Sequence, residues 1–301
     1  MDVYQNEGNV KNTQLLSIIS NVGCGISFVF LILTVIVHVY FKKLWKLMAS
    51  KILVNLCISL AVTNLIFLIG MQVYIAKITA VCKAVAALLH YFLLTTVMWM
   101  TVEAVHVCLS VIVVFKAYKE YILMRSSICA WCLPAGIVVL TLATNHTNNY
   151  IRIAQVCWLS KTSFYAAFLS SVSIFLIINL SIFFLIIWRL ILMKNKKEFE
   201  HKARKVRVFG IIGLFFLFGI CLTLAFFAFG GAAEMFKFLF VIFNTLQGSF
   251  IFMFYCVYKK DTRDVIRKYI YERKRMNLWN VTTSRGPSSA NETNKTGDTK
   301  F

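Results

Sequence analysis

Apolar residues dominate seven long stretches of this chain. Bounded by Asp, Glu, Lys or Arg, these stretches are 12–41, 52–76, 84–115, 126–151, 162–188, 208–233 and 238–258. Glu103 is the one charged residue inside them. A helix needs roughly 20 apolar residues to cross a membrane, whereas a surface helix of a soluble protein has a polar face. The pattern therefore predicts an all-α membrane protein, a bundle of seven transmembrane helices with its termini on opposite sides.

We place one predicted span in each stretch and number the spans 1 to 7. Five of them have the bounds Leu15–Tyr40, Ile52–Tyr74, Ala84–Phe115, Ser127–Thr144 and Phe164–Met193. Span 6 ends at Phe229, before Gly230-Gly231, and span 7 covers Phe236–Tyr258. The membrane domain thus covers residues 15–258 and follows a short polar extracellular lead, residues 1–14.

The segment after span 7 has a different pattern. Within residues 259–275, an apolar face formed by Val265, Ile266, Tyr269 and Ile270 lies opposite a face crowded with Lys and Arg. This pattern predicts an amphipathic helix on the inner leaflet of the membrane. Residues 276–301 are rich in Ser, Thr, Asn and Gly, so we expect them to be a disordered cytoplasmic tail.

The formal charge of +20 is distributed unevenly between the two sides of the predicted bundle. With the N-terminus outside, 26 of the 32 Lys and Arg residues fall in inner segments. The positive-inside rule therefore orients the chain in the plasma membrane with its N-terminus extracellular and its C-terminus cytoplasmic. The basic charge is then a topology signal that suits anionic lipid or an acidic partner, and it does not indicate nucleic acid.

Two of the nine cysteines lie in outer segments, where oxidation is possible. We expect Cys82 and Cys157 to form a disulfide that ties the start of span 3 to the second outer loop. The other seven cysteines fall inside apolar stretches, and these include the Cys129 and Cys132 pair, which is therefore no redox or zinc motif. Asn145 begins an outer glycosylation sequon and is a candidate for modification.

Glu103 is the most informative single side chain. A carboxylate inside a span usually faces the bundle interior and has a partner, and His106 lies one turn further along the same face. Two interpretations of Glu103 stay open. It is either part of a polar lock between helices that breaks on activation or a hydrogen-bonded structural glutamate. Span 7 likewise contains Asn244 and Gln247 within an aromatic stretch, as interhelical glue or as part of a switch. The five histidines are scattered and predict no metal site.

Six segments resemble the seven-span domain of adhesion-class G-protein-coupled receptors, which are relatives of the secretin-type receptors. They are SNVGCGISFVFLILT, SKILVNLCISLAVTNLIFLIG, VMWMTVEAVHVCLSVIVVF, AWCLPAG, CWLS and FNTLQGSFIFMFYC. They occur in the family's order over residues 20–258, and group G is the most similar group. The resemblance implies a receptor with no catalytic site and no cofactor, in which a peptide agonist in the outer half of the bundle favours outward movement of span 6 and docking of a heterotrimeric G protein.

The resemblance also assigns roles to residues. The candidates for the agonist pocket are Trp158, Leu224, Phe226, Phe227, Asn244 and Gln247. The candidates that face the G protein are Lys194, Lys196, Lys197, Lys202, Arg204 and Lys205. Leu224 departs from the family, which usually has a tryptophan there as a rotamer switch. The chain opens with Met1-Asp2-Val3, which resembles the end of the tethered agonist, so we expect a shortened form that lacks the self-cleaving region.

Other functions are open from the sequence alone. A channel or transporter would need several polar residues along a path, and Glu103 is thin support, with no internal repeat visible. A membrane enzyme would need a histidine-rich or paired-carboxylate constellation, and none occurs in the sequence. The last residues, Thr299-Lys300-Phe301, could be bound by a PDZ domain.

Overall fold

The computed structural model describes residues 2–70, 78–112, 119–144, 149–153, 156–192 and 246–284. Up to the hairpin, its elements are α1 (Asp2–Tyr40), α2 (Lys42–Trp45), α3 (Met48–Gly70), α4 (Thr79–Ile112), α5 (Lys119–Ala143), β1 (Tyr150–Ile153) and β2 (Val156–Leu159). They continue with α6 (Lys161–Ser163), a π-helical segment (Phe164–Leu169), α7 (Ser170–Leu192), α8 (Leu246–Tyr258) and α9 (Lys260–Ser284).

The described part of the chain contains five helices that are long and apolar enough to cross a membrane. They cover Ile18–Tyr40, Met48–Gly70, Thr79–Leu109, Met124–Ala143 and Phe164–Arg189, and they correspond to predicted spans 1 to 5. The shorter apolar helix Leu246–Tyr258 occupies the second half of predicted span 7. Span 6 and the beginning of span 7 lie outside the described residues. The prediction of an all-α membrane protein is therefore confirmed at this coarser level.

Several helices extend beyond the bounds that hydropathy predicted. Helix α1 begins at Asp2 instead of Leu15, and α5 begins at Lys119 instead of Ser127. Helix α9 runs to Ser284 and thus extends into the segment 276–301, which we expected to be a disordered tail. Hydropathy locates the membrane, whereas a helix propagates by adding one hydrogen bond per residue until a breaker stops it. After α9 the next glycine and proline are Gly286 and Pro287.

The largest buried cluster joins α1, α3, α4 and α8. It includes Leu31 on α1, Leu53 on α3, Trp99 on α4 and Ile251 on α8, all of them fully buried. Lipid tails are as apolar as these side chains, so moving a side chain from lipid into the bundle gives little hydrophobic stabilisation. Close packing and interhelical hydrogen bonds hold such helices together instead. These contacts therefore set the positions of the polar side chains that the same helices contain.

Helix α8 approaches α1 most closely at Gly248. A Cβ atom at this position would lie 2.6 Å from the backbone oxygen of Ser27 and would overlap its hydroxyl group. The same Ser27 hydroxyl accepts a 3.1 Å hydrogen bond from Asn64 Nδ2 on α3. Glycine at 248 is therefore what allows α1, α3 and α8 to meet at one point.

Strands β1 and β2 form an antiparallel hairpin, a feature that the sequence analysis treated only as a loop. Tyr150 pairs with Leu159, and both side chains are almost completely buried, at 1% exposure each. The Tyr150 hydroxyl lies 3.0 Å from His90 Nδ1 on α4. Burial raises the pKa of the Tyr150 phenol to about 12, so the group stays neutral at physiological pH.

The chain segment before the hairpin is fixed to the end of α5. Asn149 Nδ2 donates hydrogen bonds to the backbone oxygens of Thr141 and Thr144, at 2.8 Å and 2.7 Å. The last carbonyl groups of a helix have no partner inside the helix. Asn149 therefore satisfies these carbonyls and fixes the hairpin between α4 and α5.

We predict that Gly248→Ala destabilises the protein by about 1–3 kcal/mol, because the new methyl group overlaps the Ser27 backbone. The measurement is the thermal unfolding midpoint of the purified protein in detergent. The matched control is Gly136→Ala in α5, where a Cβ atom meets nothing within 4 Å. A Gly248→Ala midpoint at or above that of the control would contradict the close contact.

We predict that Tyr150→Phe lowers stability by about 1–3 kcal/mol, because it leaves the buried His90 Nδ1 without its hydrogen-bond partner. The readout is again the thermal midpoint. The control is Tyr271→Phe in α9, where the ring is 70% exposed and a lost hydroxyl should change little. Equal midpoints for the two variants would show that the hairpin does not depend on this hydrogen bond.

Candidate functional site

Hydrogen bonds between polar side chains connect the spanning helices pair by pair. Besides Asn64 and Ser27, Thr96 Oγ1 on α4 donates to Ser59 Oγ on α3 at 3.1 Å. Asn179 Nδ2 on α7 donates to Thr101 Oγ1 on α4 at 2.9 Å. Each such bond contributes about 0.6 kcal/mol on average in a membrane bundle. Helix α4 contributes to both, so it lies at the centre of this polar network.

The buried carboxyl group of Glu103 has a partner on another helix. Glu103 is 2% exposed on α4, and the Tyr255 hydroxyl on α8 donates to its Oε1 at 3.3 Å. Tyr255 is itself 2% exposed within the large apolar cluster. His106, the partner predicted from the sequence, lies one turn from Glu103 on the same helix and is partly buried. The structure thus gives Glu103 a partner that can bridge two helices.

Tyr255 also contacts a buried cation. Lys259 is 8% exposed, and its Nζ lies 5.4 Å from the centroid of the Tyr255 ring, within the range of a cation–π contact. Lys259 has an extended backbone that ends α8 and leads into α9. A single phenol on α8 therefore links the carboxyl group in the bundle to the start of α9.

Tyr255 and Lys259 are functional candidates that were not predicted from the sequence. A buried tyrosine usually needs a partner for its hydroxyl group, so the Tyr in the run FIFMFYC could have been paired with the isolated Glu103. The sequence contains no signal for which of its twelve tyrosines would reach Glu103. Glu103 and Tyr255 are 152 positions apart in the chain.

An aromatic cluster occupies the opposite end of α4, beneath the hairpin. The Trp158 ring on β2 packs edge-on against Phe168, with 5.7 Å between centroids, and lies 6.3 Å from the Phe164 ring. Phe168 in turn packs edge-on against the His90 ring at 5.8 Å. Trp158, which is half-buried, is thus the predicted pocket residue that the structure places in a defined aromatic environment.

The remaining predicted residues have different outcomes. Gln247 is 2% exposed on α8, next to the close contact at Gly248. Cys82 is disulfide-bonded, and the side chain of Cys157 is outside the description. The predicted residues that lie outside the described part are Asn145, Lys194, Lys196, Lys197, Lys202, Arg204, Lys205, Leu224, Phe226, Phe227 and Asn244.

The described side chains offer hydrogen-bonding chemistry and no metal centre. Within the described ranges, no group of three or more His, Cys, Asp or Glu side chains could hold a metal ion. The Glu103–Tyr255 contact joins two helices, so its length depends on how α8 is positioned against α4. A contact of this kind can couple the making or breaking of one hydrogen bond to the relative position of two helices.

Comparisons with known proteins show which family the chain belongs to. The family model described as "7 transmembrane receptor (Secretin family)" matches residues 13–251. Adhesion G-protein coupled receptor G2 of Homo sapiens is 35% identical over 267 residues, which are 85% of this chain and 26% of that receptor. Adhesion G-protein coupled receptor G4 of Homo sapiens is 35% identical over 271 residues, 88% of this chain and 9% of that receptor.

A relative from fish gives the same result. Adhesion G-protein coupled receptor G6 of Danio rerio is 33% identical over 275 residues, which are 86% of this chain and 23% of that receptor. The chain therefore spans about a quarter or less of the length of these relatives. On the match of the family model and of these relatives over most of its length, the chain belongs to the secretin family of seven-transmembrane receptors and, within it, to the adhesion class of G-protein-coupled receptors.

Proposed function

We propose that this chain is a signalling membrane domain that transmits an extracellular peptide signal to a heterotrimeric G protein. The observation that carries the proposal is the buried contact between Glu103 on α4 and Tyr255 on α8. This contact connects two spanning helices in a family of receptors, and it continues through the Tyr255 ring to Lys259. Family membership supports the coupling to a G protein.

In the proposed mechanism, the Glu103–Tyr255 hydrogen bond favours the inactive arrangement of the helices. The free energy of a carboxyl group in a low-dielectric bundle rises when its hydrogen-bond donor moves away. The bond therefore resists separation of α4 and α8. An agonist that binds the separated arrangement more tightly shifts the equilibrium towards it. His106, one turn from Glu103, would complete the lock from the same face of α4.

We place the agonist site at the outer end of the bundle, next to the aromatic cluster of Trp158, Phe164 and Phe168. Trp158 is half-buried there, and its indole offers a large flat surface and one hydrogen-bond donor to an apolar peptide. Gln247 provides a buried amide on α8. The residues proposed to complete the site from outside the described part are Leu224, Phe226, Phe227 and Asn244.

On the cytoplasmic side, we propose that outward movement of span 6 opens a surface for the G protein. The basic residues proposed to face it are Lys194, Lys196, Lys197, Lys202, Arg204 and Lys205. Their positive charge would steer an acidic partner towards the opened surface. The C-terminal residues ending in Phe301 are a second proposed contact, with a PDZ domain.

We propose that the disulfide of Cys82 is made with Cys157 of the hairpin. Cys82 is disulfide-bonded and belongs to the same buried cluster as Tyr150 and Leu159, which form the strand pair two positions from Cys157 in the hairpin. This bond would place the hairpin on the oxidising side of the plasma membrane, together with the N-terminus and the candidate sequon at Asn145. The basic C-terminal segment would then be cytoplasmic.

We predict that Tyr255→Phe raises basal signalling. Loss of a hydrogen bond of about 1 kcal/mol shifts the equilibrium towards the active arrangement about fivefold. The measurement is nucleotide exchange on purified G proteins by reconstituted receptor at matched amounts. Glu103→Gln should also change basal exchange, and the double variant should change it by less than the two single effects combined. The control is Tyr258→Phe, whose ring on the same helix is 62% exposed.

Two outcomes would count against the proposed function. Basal exchange that is the same for Tyr255→Phe, Tyr258→Phe and the parent chain would reject the lock. Absence of exchange on every G protein tested, even with an added stalk-like peptide, together with clear solute flux across liposomes, would replace the receptor by a channel or transporter.

We predict that Cys157→Ser reduces the folded protein at the cell surface, because removing a native disulfide costs about 2–5 kcal/mol. Cys82→Ser and the double variant should have the same effect as Cys157→Ser if the two residues form one bond. The control is Cys132→Ser, which replaces a free, exposed cysteine. Additive losses in the double variant, or normal surface levels for Cys157→Ser, would disprove the pairing.

A further inference from the structure

Three aromatic rings join the end of α1 to the amphipathic helix α9. The hydroxyl groups of Tyr40 and Tyr269 lie 2.8 Å apart. Their rings pack edge-on with 5.8 Å between centroids, and Phe41 packs edge-on against the Tyr269 ring at 5.4 Å. We call these three residues the aromatic clasp. They fix one side of α9 against the junction between α1 and the short helix α2.

Basic residues adjoin the aromatic clasp in both chain segments. Lys42 and Lys43 directly follow Phe41 and are exposed, as is Arg273, one turn after Tyr269 on the same face of α9. Lys268 pairs with Glu272 at 3.8 Å, whereas no described carboxylate pairs with Lys42, Lys43 or Arg273.

These cations lie beside apolar side chains that suit a membrane interface. Trp45 on α2 is 40% exposed, and Ile270 and Met276 on α9 are 49% and 61% exposed. Tryptophan at the ends of membrane spans lies at the level of the lipid headgroups. An amphipathic helix lies at the same level, with its apolar face in the acyl chains. The cations around the clasp are therefore positioned for headgroups and not for bulk solvent.

We propose that the aromatic clasp, with Lys42, Lys43 and Arg273, binds the polyphosphorylated headgroup of a membrane phosphoinositide. Cations from two chain segments, together with two phenol hydroxyl groups, match a headgroup that carries several phosphates close together. A lipid with one net charge would need only one of these cations. Clusters of basic residues on the cytoplasmic side of a span commonly recognise such lipids.

The proposed site gives the lipid a structural role. A bound headgroup would bridge Lys42 and Lys43 on one element to Arg273 on the other, and so would hold α9 against α1. The inference rests on the proposed orientation, which places both elements at the inner leaflet, but it does not depend on coupling to a G protein. It can therefore be tested on the purified chain without a signalling assay.

The test measures binding of a fluorescent phosphatidylinositol bisphosphate to the purified full chain in micelles, by anisotropy. The site variant Lys42→Gln/Lys43→Gln/Arg273→Gln should weaken binding by about fivefold for each cation removed. The control variant Arg263→Gln/Arg267→Gln/Lys274→Gln removes the same charge from exposed positions of α9 that lie away from the clasp. It should weaken binding less than about twofold, since screened charges contribute little.

A second variant separates geometry from charge. Tyr269→Ala keeps every cation but removes the ring that connects α9 to Tyr40 and Phe41, so it should weaken binding about as much as the site variant. Tyr269→Phe keeps the ring contacts and should weaken binding less than Tyr269→Ala does. Equal losses in the site and control variants would show general electrostatic attraction only and would overturn the proposal, as would unchanged binding by Tyr269→Ala.

Competitors identify the source of the headgroup. Unlabelled phosphatidylinositol bisphosphate should displace the probe, and phosphatidylserine at equal total charge should displace it poorly. Soluble inositol trisphosphate should compete more weakly than the lipid, because it cannot place acyl chains beside Trp45 and Ile270. Equal competition by the soluble headgroup would assign the site to a free polyphosphate. Equal competition by phosphatidylserine would show that the site does not select a polyphosphorylated headgroup. Either result would overturn the proposal.

Discussion

A carboxyl group surrounded by lipid-solvated helices must have a hydrogen-bond partner, and in this chain that requirement links the helices to one another. Glu103 accepts from Tyr255 across the bundle, and the Tyr255 ring in turn contacts the Lys259 ammonium group. The link therefore runs from the second half of α4 to the point where α8 ends and α9 begins. Breaking this link is energetically costly, because the hydrocarbon around the bundle offers the Glu103 carboxyl group no replacement hydrogen bond.

The same helix α4 makes the outer contacts. His90 holds Tyr150 of the hairpin and packs against Phe168, which also contacts Trp158. A ligand that displaced Trp158 would therefore press on the helix that contains Glu103. Close packing transmits such displacements because protein interiors have little free volume. At Gly248 the backbones of α1 and α8 are already in contact, which leaves α8 little freedom to absorb a movement.

At the end of the bundle where α9 begins, the membrane surface is the proposed partner. Helix α9 contacts the end of α8 at its beginning and the junction of α1 and α2 through the aromatic clasp, whereas its side chains from Ile270 to Asn277 are exposed. If α9 lies on the membrane as proposed, its position depends on these contacts together with the lipid surface. Lys259 connects this helix to Tyr255, so the lipid environment and the polar contact in the bundle act on adjoining residues.

The sequence alone determined the family, the helical membrane character and the five spans that the structure describes, since the energy of moving backbone and charge into lipid depends on local composition. Runs of apolar residues located five of the helices to within a few residues at their membrane ends, and six motifs indicated the receptor class. The tertiary structure decided the pairing of Glu103 with Tyr255, the hairpin that contacts His90, and the clasp of Tyr40 with Tyr269. Each joins residues 60 or more positions apart. Composition cannot choose among many equally suitable partners, because that choice depends on how whole helices pack.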